Sequence, residues 1–521
     1  MLIHNTESGR KETFEPAALP VKMYVCGLTP KDEPHLGHAR LFAVNDTVRR
    51  YLEYRGYPVH YVQNFTDVDD KIIAAGQREH IPASQAAQRY TASYFRDMDA
   101  IGVRRADEYT YVTDFIPQII QVVSGLIARG HAYALAGDVY FSVPSFPAYG
   151  RLSGRTEEAM MAGARIEPDE RKRDLRDFAL WKAAKPGEPS WESPWGPGRP
   201  GWHIECSTMV LERLGQQIDI HGGGSDLIFP HHENEIAQSE SYTGHSPFAR
   251  YWVHTGMLSL PDPEAGATGA EAASKLKMAH SGTFVTIRSI LDTGQVPAPA
   301  LRLYLLGQHY RATLTYAEEQ LLGTVARWRR WAETRANLLR LIAWAEERLD
   351  AGSAKDTKTA KTGKAAKAAK ANQAEAGTRE AEPHTQPTAA RDEYVAAMDD
   401  DFNTSGALAA VDGLVRRTND YLATLAGAQP TPATLAALRI ALGTLEELTG
   451  TLGVALEAPA GGPALAEADR AAIEALVAER DAARQARNWG EADRIRQRLA
   501  SQYGVVIKDT AQGATWTLKE S

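Results

Sequence analysis

Two short apolar runs separated by an amphipathic stretch organise the first part of the chain. The run Val21–Gly27 is typical of a buried strand that ends at a glycine, and a second run covers Tyr57–Val62. Between them, apolar residues recur at helical spacing from His35 to about Tyr54. A strand, a helix and a strand at this spacing predict a parallel α/β sheet that binds its ligands at the strand ends.

The pattern changes twice before the middle of the chain. Helical spacing continues, with breaks, to about Arg129, and short strand-like pieces and a loop rich in Pro, Gly and Trp then run to Pro200. The α/β pattern returns afterwards and includes Tyr251–Gly256. We therefore predict one Rossmann-like domain split by an insertion, with its first half at 1–115, the insertion at 116–200 and its second half at 201–256.

Helical patterns dominate the second half of the chain and predict a helical bundle at 313–350 and 391–455. A helix-then-strands pattern predicts a small mixed C-terminal domain at 466–521. The segment 351–390 is of low complexity, with lysines at every third position, 355, 358, 361, 364, 367 and 370. That spacing leaves no apolar stripe to bury, so it favours a solvated linker over an arm that contacts phosphates.

Composition narrows the class of protein. The 521 residues are 43% hydrophobic and 24% charged, which is ordinary for a globular protein. A formal net charge of −8 means that any nucleic-acid surface must be local. There is no apolar run of about 18 residues and no apolar core near the first residue, so we expect a cytoplasmic protein without a membrane span. Two cysteines give no disulfide framework, which leaves metal ligation or buried thiols.

The stretch 201–240 has the residues of a metal site. We predict a helix ending near Gly215, a strand at 218–220, a glycine-rich turn at 221–224 and a second helix with Pro230 in its first turn. In that helix His231 and Glu235 share a face, and with Cys206 they provide three ligands of a zinc site. The fourth must come from elsewhere, and the other cysteine is Cys26. His232 competes with His231, and a closed structural zinc or two unreactive buried cysteines remain open.

A second candidate site lies where the first predicted helix begins. His35-Leu36-Gly37-His38 places two imidazoles and a glycine at a helix N-terminus, where free N–H groups and the helix dipole suit phosphates. Taken alone this tetrapeptide is weak. The glycines at 222–224 and the basic segment Lys275–His280 could close over the same nucleotide, which together predicts a nucleotide site.

Several motifs together resemble the class I aminoacyl-tRNA synthetases, and specifically the cysteinyl-tRNA synthetase family. His35–His38 matches the family's first signature, and the resemblance covers most of the chain. The matching pieces are MYVCGLT, HLGHAR, VQNFTDVDDKI, GWHIECS, HGGGSDLIFPHHENEIAQSE, MDDDFNT (398–404) and NWGEADRIRQRL.

The resemblance implies an enzyme that forms cysteinyl-adenylate from ATP and then transfers cysteine to the tRNA 3′ end. Its implied partners are tRNA(Cys), ATP and L-cysteine, its cofactors are one zinc per subunit and Mg²⁺ with ATP, and a monomer is expected. It implies a stem-contact region at 257–312 and an anticodon-binding domain at 466–521. The implied site residues are Cys26, Cys206, His231 and Glu235 on zinc; Gly27, Thr66 and Trp202 around cysteine; His35, Gly37, His38, Gly222, Gly223, Asp226, Lys277 and His280 on ATP, with His35, His38, Lys277 and His280 catalytic; and Trp489, Asp493 and Asp509 on tRNA. Arginines 480, 484, 487, 494 and 498 at helical spacing suit phosphates or a solvated face equally.

The chain departs from the family at three places. The second signature, Lys-Met-Ser-Lys-Ser, is here Lys277–Ser281 with His280 at the second lysine; the segment 261–274 before it is long; and Leu28 replaces the usual proline. We hypothesise that phosphate contact charges His280, or that Lys275 or Lys277 takes over its role. The alternatives are a cysteine ligase that acylates an amino sugar and a tRNA-binding paralogue without catalysis.

Overall fold

A computed structural model of the chain describes residues 1–156, 171–260, 285–359, 382–457, 467–503, 505–510 and 513–518. These residues form two compact units. The first comprises 1–329, 391–411 and 447–455, and the second comprises 330–390, 412–446 and 456–521. The strands, in chain order, are β1 (Leu2–Asn5), β2 (Arg10–Thr13), β3 (Val21–Leu28), β4 (Val59–Phe65), β5 (Glu108–Tyr111), β6 (Ala132–Leu135), β7 (Asp138–Phe141), β8 (Phe178–Ala183), β9 (Gly198–Pro200), β10 (Ile218–Gly224), β11 (Ala249–Thr255), β12 (Leu258–Ser259), β13 (Leu314–Thr315), β14 (Val505–Thr510) and β15 (Gly513–Leu518).

The helices complete the fold. They are α1 (Leu36–Tyr54), α2 (Asp70–Glu79), α3 (Ala83–Ala100), α4 (Ile116–Ala128), α5 (Trp202–Leu214), α6 (Glu233–Thr243), α7 (Ile287–Leu291), α8 (Ala298–Leu305), α9 (Glu318–Thr359), α10 (Glu382–Asp399), α11 (Thr404–Thr424), α12 (Pro432–Thr451), α13 (Glu467–Gln485) and α14 (Trp489–Tyr503). None of the helices in these described ranges is both long and apolar enough to span a membrane.

A five-stranded parallel sheet is the centre of the first unit. Its strand order is β11-β10-β3-β4-β5, and every neighbouring pair is parallel. In chain order this is a doubly wound sheet whose winding reverses between β3 and β10, so the cleft for a ligand opens at the carboxyl ends of those two strands. The predicted Rossmann-like fold class is confirmed.

The buried strands explain why the apolar pattern predicted the sheet well. Most of β3 is buried, and the sheet packs on α4 and α5 through residues such as Ile119, Val123 and Met209. Helix α1 ends at Tyr54, as predicted. Strand β5, in contrast, was not predicted, because its four residues EYTY carry no apolar run and lie among helical patterns.

The predicted glycine turn at 221–224 is wrong. Strand β10 continues through Gly224, and Gly222 and Gly223 pair with Val253 and His254 of β11. Glycine is needed there because neighbours press on the strand. A Cβ on Gly222 would lie 2.6 Å from Asn45 Oδ1, and one on Gly223 would lie 2.5 Å from His232 Cε1.

The predicted second helix also begins later than expected. Residues 228–232 form one irregular turn in which Phe229 is extended (φ −137°, ψ 131°), and α6 begins at Glu233. The insertion contains a four-stranded antiparallel sheet of order β6-β7-β8-β9, in agreement with its short strand-like pieces.

The second unit contains most of α9, α11 and α12 and the C-terminal module. That module packs α13 and α14 against the β14–β15 hairpin through a core of Ile473, Leu476, Val477, Ile495, Leu499, Val505 and Ile507. Within the predicted linker 351–390, α9 continues to Thr359 and α10 begins at Glu382. Its central lysines lie outside the described residues.

Candidate functional site

Four distant residues meet at the carboxyl end of β3. Cys26 is on that strand, Cys206 is on α5, His231 is in the irregular turn before α6, and Glu235 is on α6. All four are buried, and one donor atom from each lies within 4.8 Å of the others. These are the four ligands that the family resemblance implied.

The spacing of these donors fits a tetrahedral zinc ion. Zn–S bonds of about 2.3 Å and Zn–O bonds of about 2.0 Å require an S···S edge of roughly 3.8 Å and an S···O edge of roughly 3.5 Å. The structure has 3.8 Å between Cys26 Sγ and Cys206 Sγ, and 3.5 Å between Cys26 Sγ and Glu235 Oε1. His231 Nε2 lies 3.0 Å from Glu235 Oε1. Two sulfurs, a nitrogen and a carboxylate oxygen are a donor set that zinc accepts.

The charges of the cluster also suit a cation. The hydrogen bond from Cys26 outweighs burial and lowers the pKa of Cys206 to about 6. Burial alone would raise the pKa of Glu235, but His221 and His231 outweigh it and hold the pKa at about 2. Burial, followed by the bond to Cys206, raises the pKa of Cys26 well above its usual value. Burial would lower the pKa of His231, but Glu235 and Cys206 outweigh it and raise that pKa to about 10. Cys206 and Glu235 therefore favour their anionic forms, whereas Cys26 and His231 must each lose a proton to bind a cation.

A second layer of histidines surrounds the cluster, and the sequence analysis did not anticipate it. His221 Nε2 lies 2.9 Å from Glu235 Oε2, and His203 Nδ1 lies 3.0 Å from His231 Nδ1. His232 Nε2 lies 3.3 Å from Cys26 Sγ, and its Nδ1 lies 2.7 Å from His254 Nε2. Such outer partners orient the ligating groups.

This layer creates an alternative donor set, because Cys26, His221, His232 and Glu235 also lie within 4.8 Å of one another. The set with Cys206 and His231 is the better metal site for two reasons. It has two sulfurs instead of one, and its His231 lies against Trp202, a residue of the cavity wall.

The cleft itself is a cavity of about 770 Å³ that Trp202 and His203 line. The Trp202 ring lies over His231, with 4.4 Å between the ring centroids, and Lys71 Nζ lies 5.7 Å from the centroid of the Trp202 ring. Asp226, in the short turn after β10, lines the same cavity. The structure thus places Trp202 beside the four candidate metal ligands and on the wall of the cavity.

Thr66 and Gly27 lie at the ends of β4 and β3. Thr66 Oγ1 donates to Glu205 Oε2 at 2.9 Å, and burial raises the pKa of that carboxyl well above its usual value. The Gly27 N–H donates to Asn64 Oδ1 at 2.8 Å. Glu205 and Asn64 were not singled out in the sequence, where an isolated carboxylate or amide gives no signal of burial.

His35 caps α1, so the predicted free N–H groups are not free. Its Nδ1 accepts from the N–H of Gly37 at 3.1 Å and of His38 at 3.4 Å, and His38 Nδ1 accepts from the His35 N–H at 3.4 Å. Because each Nδ1 accepts, each neutral ring carries its proton on Nε2. The two stacked rings therefore present two N–H donors in place of the main-chain groups that they cap.

Burial, followed by the charge of Lys31, lowers the pKa of His35 from 6.5 to about 4. The unfolded chain consequently binds more protons between these pH values, so we expect the free energy of unfolding to fall as the pH falls from about 6.5 to about 4. His35→Asn retains an N-cap oxygen but has no titrating ring. The slope of the free energy of unfolding against pH should therefore fall by the equivalent of up to one bound proton. Urea unfolding of both proteins at several pH values measures the difference, and equal slopes would contradict it.

The remaining predicted residues do not join this cluster. Lys277 and His280 lie outside the described residues, as does the segment 261–274. Trp489 begins α14 with 58% of its surface exposed, Asp493 lies on the same helix, and Asp509 lies in β14. Arg480 is buried and pairs with Asp481 at 3.4 Å, so it does not belong to an exposed phosphate-binding face.

Comparison with known families divides the chain into three matches. Residues 14–326 match the family described as tRNA synthetases class I (C) catalytic domain. Residues 393–457 match the DALR domain, and residues 470–516 match the cysteinyl-tRNA ligase anticodon binding domain.

Individual proteins agree with these matches. A cysteine–tRNA ligase from Moorella thermoacetica is 46% identical over 517 residues, which is 99% of each chain. One from Dehalococcoides mccartyi is 43% identical over 521 residues and the whole of both chains. A solved methionyl-tRNA synthetase from Mycobacterium tuberculosis, bound by methionyl-adenylate, is 14% identical and aligns with a TM-score of 0.56 over 83% of this chain and 90% of its own, which shows a shared fold.

Proposed function

The chain belongs to the cysteine–tRNA ligase family of class I synthetases, and from that premise we propose that it charges tRNA(Cys) in two steps. In the first, the cysteine carboxylate attacks the α-phosphate of ATP, which gives cysteinyl-adenylate and pyrophosphate. In the second, the 2′-hydroxyl of the terminal tRNA adenosine attacks the cysteinyl carbonyl, and AMP leaves. The observation that carries this proposal is the four-donor cluster beside the cleft.

Cys26, Cys206, His231 and Glu235 would hold one zinc ion per chain. When bound, the ion would have to extend its coordination beyond these four ligands to reach a substrate, a bond that a thiolate makes well and a serine hydroxyl makes poorly. A site built around one polar group of its substrate can reject the analogue by roughly 10⁴-fold. With discrimination of this size, a separate editing site would not be needed.

The surrounding side chains position the substrate. Trp202 lies over His231 and forms one wall of the cleft, and the Thr66 hydroxyl is held by Glu205. His221 and His232, which are fully buried, and His203, which lines the cavity, orient the ligating side chains. We infer that cysteine lies between the cluster and Trp202.

The Nε2–H groups of His35 and His38 act on ATP. Neutral imidazoles fixed at a helix N-terminus donate hydrogen bonds to phosphate oxygens as negative charge moves onto pyrophosphate. Mg²⁺ is expected to accompany the nucleotide, and Gly222, Gly223 and Asp226 to lie on its adenosine side. We also propose a monomeric, cytoplasmic enzyme, with Trp489, Asp493 and Asp509 contacting the anticodon.

Pyrophosphate exchange tests the proposal. The zinc-loaded protein should exchange pyrophosphate into ATP with cysteine and not with serine, lose exchange when a chelator removes the metal, and then charge tRNA(Cys) once the metal is restored. Binding of tRNA without cysteine-dependent exchange would favour the non-catalytic alternative. Transfer of cysteine to an amino sugar would favour the alternative of a cysteine ligase that acylates an amino sugar.

His280 stands at the second lysine of the family's Lys-Met-Ser-Lys-Ser signature, and we expect it to contact phosphate. His280→Ala should lower the rate of exchange, and His280→Lys should maintain or raise it above pH 7, where a histidine of ordinary pKa is largely neutral. Exchange measured between pH 6 and pH 8 compares the variants. If neither substitution changed the rate, His280 would have no part in adenylate formation.

A further inference from the structure

Arg40 is a fully buried arginine two residues after His38. Within the described part of the chain its guanidinium has main-chain carbonyls as hydrogen-bond partners. Nη1 donates to Gly256 O at 3.0 Å and Met257 O at 2.9 Å. Nη2 donates to Ala312 O at 2.6 Å, His309 O at 3.2 Å and, more weakly, Tyr310 O at 3.5 Å. Burial of a cation among dipoles lowers its pKa to about 10, so it stays charged at neutral pH.

These carbonyls belong to two segments that meet beside α1. Gly256 and Met257 directly follow β11, and residues 309–312 form the connection between α8 and β13. The Gly256 N–H donates to Tyr310 O at 2.7 Å. A Cβ on Gly256 would lie 2.4 Å from Ala312 O, so the two backbones touch. Arg40 joins both segments to the second turn of α1.

The 309–312 segment is fixed from its other side by the MDDDFNT motif. Asp401 accepts from Tyr310 Oη at 2.8 Å and from Arg311 Nε at 2.8 Å. Asp401 itself has φ 65° and Phe402 has φ 50°, conformations that non-glycine residues adopt only when their surroundings impose them. Arg40 therefore binds a segment that a strained and fully bonded junction holds in place.

The first turn of α1 is bonded to the chain on the far side of the second signature. The Leu36 N–H donates to Val285 O at 3.1 Å, the Ile287 N–H donates to Pro34 O at 3.3 Å, and His35 bridges Thr286. The chain is thus bonded to α1 on both sides of the second signature. Arg40 binds Gly256 and Met257 on the near side, and the main chain of 34–36 pairs with residues 285–287 on the far side.

We propose that Arg40 is a positioning residue for adenylate formation. It places His35 and His38 by holding α1 against Gly256–Met257 and 309–312, and this role rests on the proposed function. Lysine cannot replace it, because an ammonium is a point charge with three donors, whereas the planar guanidinium reaches carbonyls on two segments at once. Arg40 touches no substrate in this account.

The test is Arg40→Lys, with Arg40→Met beside it. We expect kcat for cysteine-dependent exchange, per active site titrated by adenylate formation, to fall between about tenfold and about a hundredfold in both, the size that misplacement of reacting groups produces. The KM for cysteine and the zinc content should stay within about twofold, since the metal ligands lie on other elements. A purely structural role would lower the number of active sites and leave kcat per site unchanged.

Arg302→Lys is the matched control. Arg302 is equally buried and also packs on α1, through Asp46 at 2.6 Å, but its other main partner is Leu452 O at 2.7 Å, away from the first signature. This variant should melt at a lower temperature and retain kcat per active site within about twofold.

The outcomes separate the two proposals. Full kcat per site in Arg40→Lys, or an equal loss in Arg302→Lys, would overturn the role of Arg40 and leave the proposed function standing. Absent exchange in the wild type would overturn the proposed function instead.

If both Arg40 variants failed to fold, Asp401→Asn would test the proposal, because it leaves Arg40 in place and loosens the 309–312 segment that Arg40 binds. Asp401→Asn should also lower kcat per active site, and an unchanged kcat would contradict the proposal.

Discussion

Replacing Cys206 by serine is expected to abolish zinc binding and cysteine activation together. The hydroxyl cannot replace a thiolate that already carries a pKa of about 6, and the remaining Cys26, His231 and Glu235 leave zinc with three ligands. Zinc per chain should fall from about one to near zero. The kcat/KM for cysteine in pyrophosphate exchange should fall by a factor of about 10³ or more, because discrimination of the thiol depends on the metal.

His221→Asn and His232→Asn are the controls for this substitution. Each changes the alternative donor set and leaves Cys26, Cys206, His231 and Glu235 intact. We expect both to retain zinc, with affinity lowered by about 10- to 100-fold through the loss of an outer partner. The zinc content of each variant after dialysis against increasing chelator concentrations ranks their zinc affinities. Zinc retained by Cys206→Ser and lost from His232→Asn would place the metal in the alternative set.

Replacing Gly27 by alanine is expected to disrupt the sheet beside the site. The new Cβ would lie 1.6 Å from the carbonyl oxygen of Asn64, which is backbone of β4 and cannot rotate away. The strands would have to separate where their register already shifts between Val25 and Leu28, and Cys26 would move with them. We expect a loss of about 3 kcal/mol or more in the free energy of unfolding, at the upper end of overpacking, and loss of exchange in the folded fraction.

Gly323→Ala is the matched control for backbone composition. Gly323 lies exposed in α9, and an added Cβ meets nothing within 4 Å. Removing a helix-interior glycine there should stabilise the protein by up to about 1 kcal/mol. Thermal melts followed by circular dichroism compare the two variants. A Gly27→Ala protein that melts like the wild type and exchanges normally would show that β3 and β4 can separate without cost.

Periodicity predicted the elements whose burial is one-sided or continuous. The run that became β3 and the amphipathic pattern of α1 ending at Tyr54 were correct because hydrophobic burial alone specifies them. Strand β5 was missed because its place at the sheet edge, next to β4, is a tertiary fact that EYTY does not encode. The glycines of β10 suggested a turn. They are instead required within the strand, because Asn45 and His232 leave no room for a Cβ there.

Chemistry that needs particular residue types could likewise be found early. Cys206, His231 and Glu235 are close in sequence, and only one further cysteine could join them. His231 and Glu235 still lie 3.0 Å apart although the helix begins at Glu233, after the residues expected in its first turn, since the irregular turn directs both side chains to one point. The candidate phosphate-binding role of His35 and His38 followed from their position before an apolar helical pattern, but the tautomer that places the proton on Nε2 followed only from the capping bonds.

The sequence by itself determined a split parallel α/β domain, a family and a set of chemically suitable side chains, because residue type and local spacing encode these. The tertiary structure alone decided which histidines surround the candidate metal ligands and that Glu205 and Asn64 are buried beside Thr66 and Gly27. It also decided that Arg40 and Asp401, far apart in the chain, both bind the four-residue segment 309–312. Such contacts depend on the winding of the sheet reversing between β3 and β10 and on the packing of helices from the far end of the chain, and no local pattern records either.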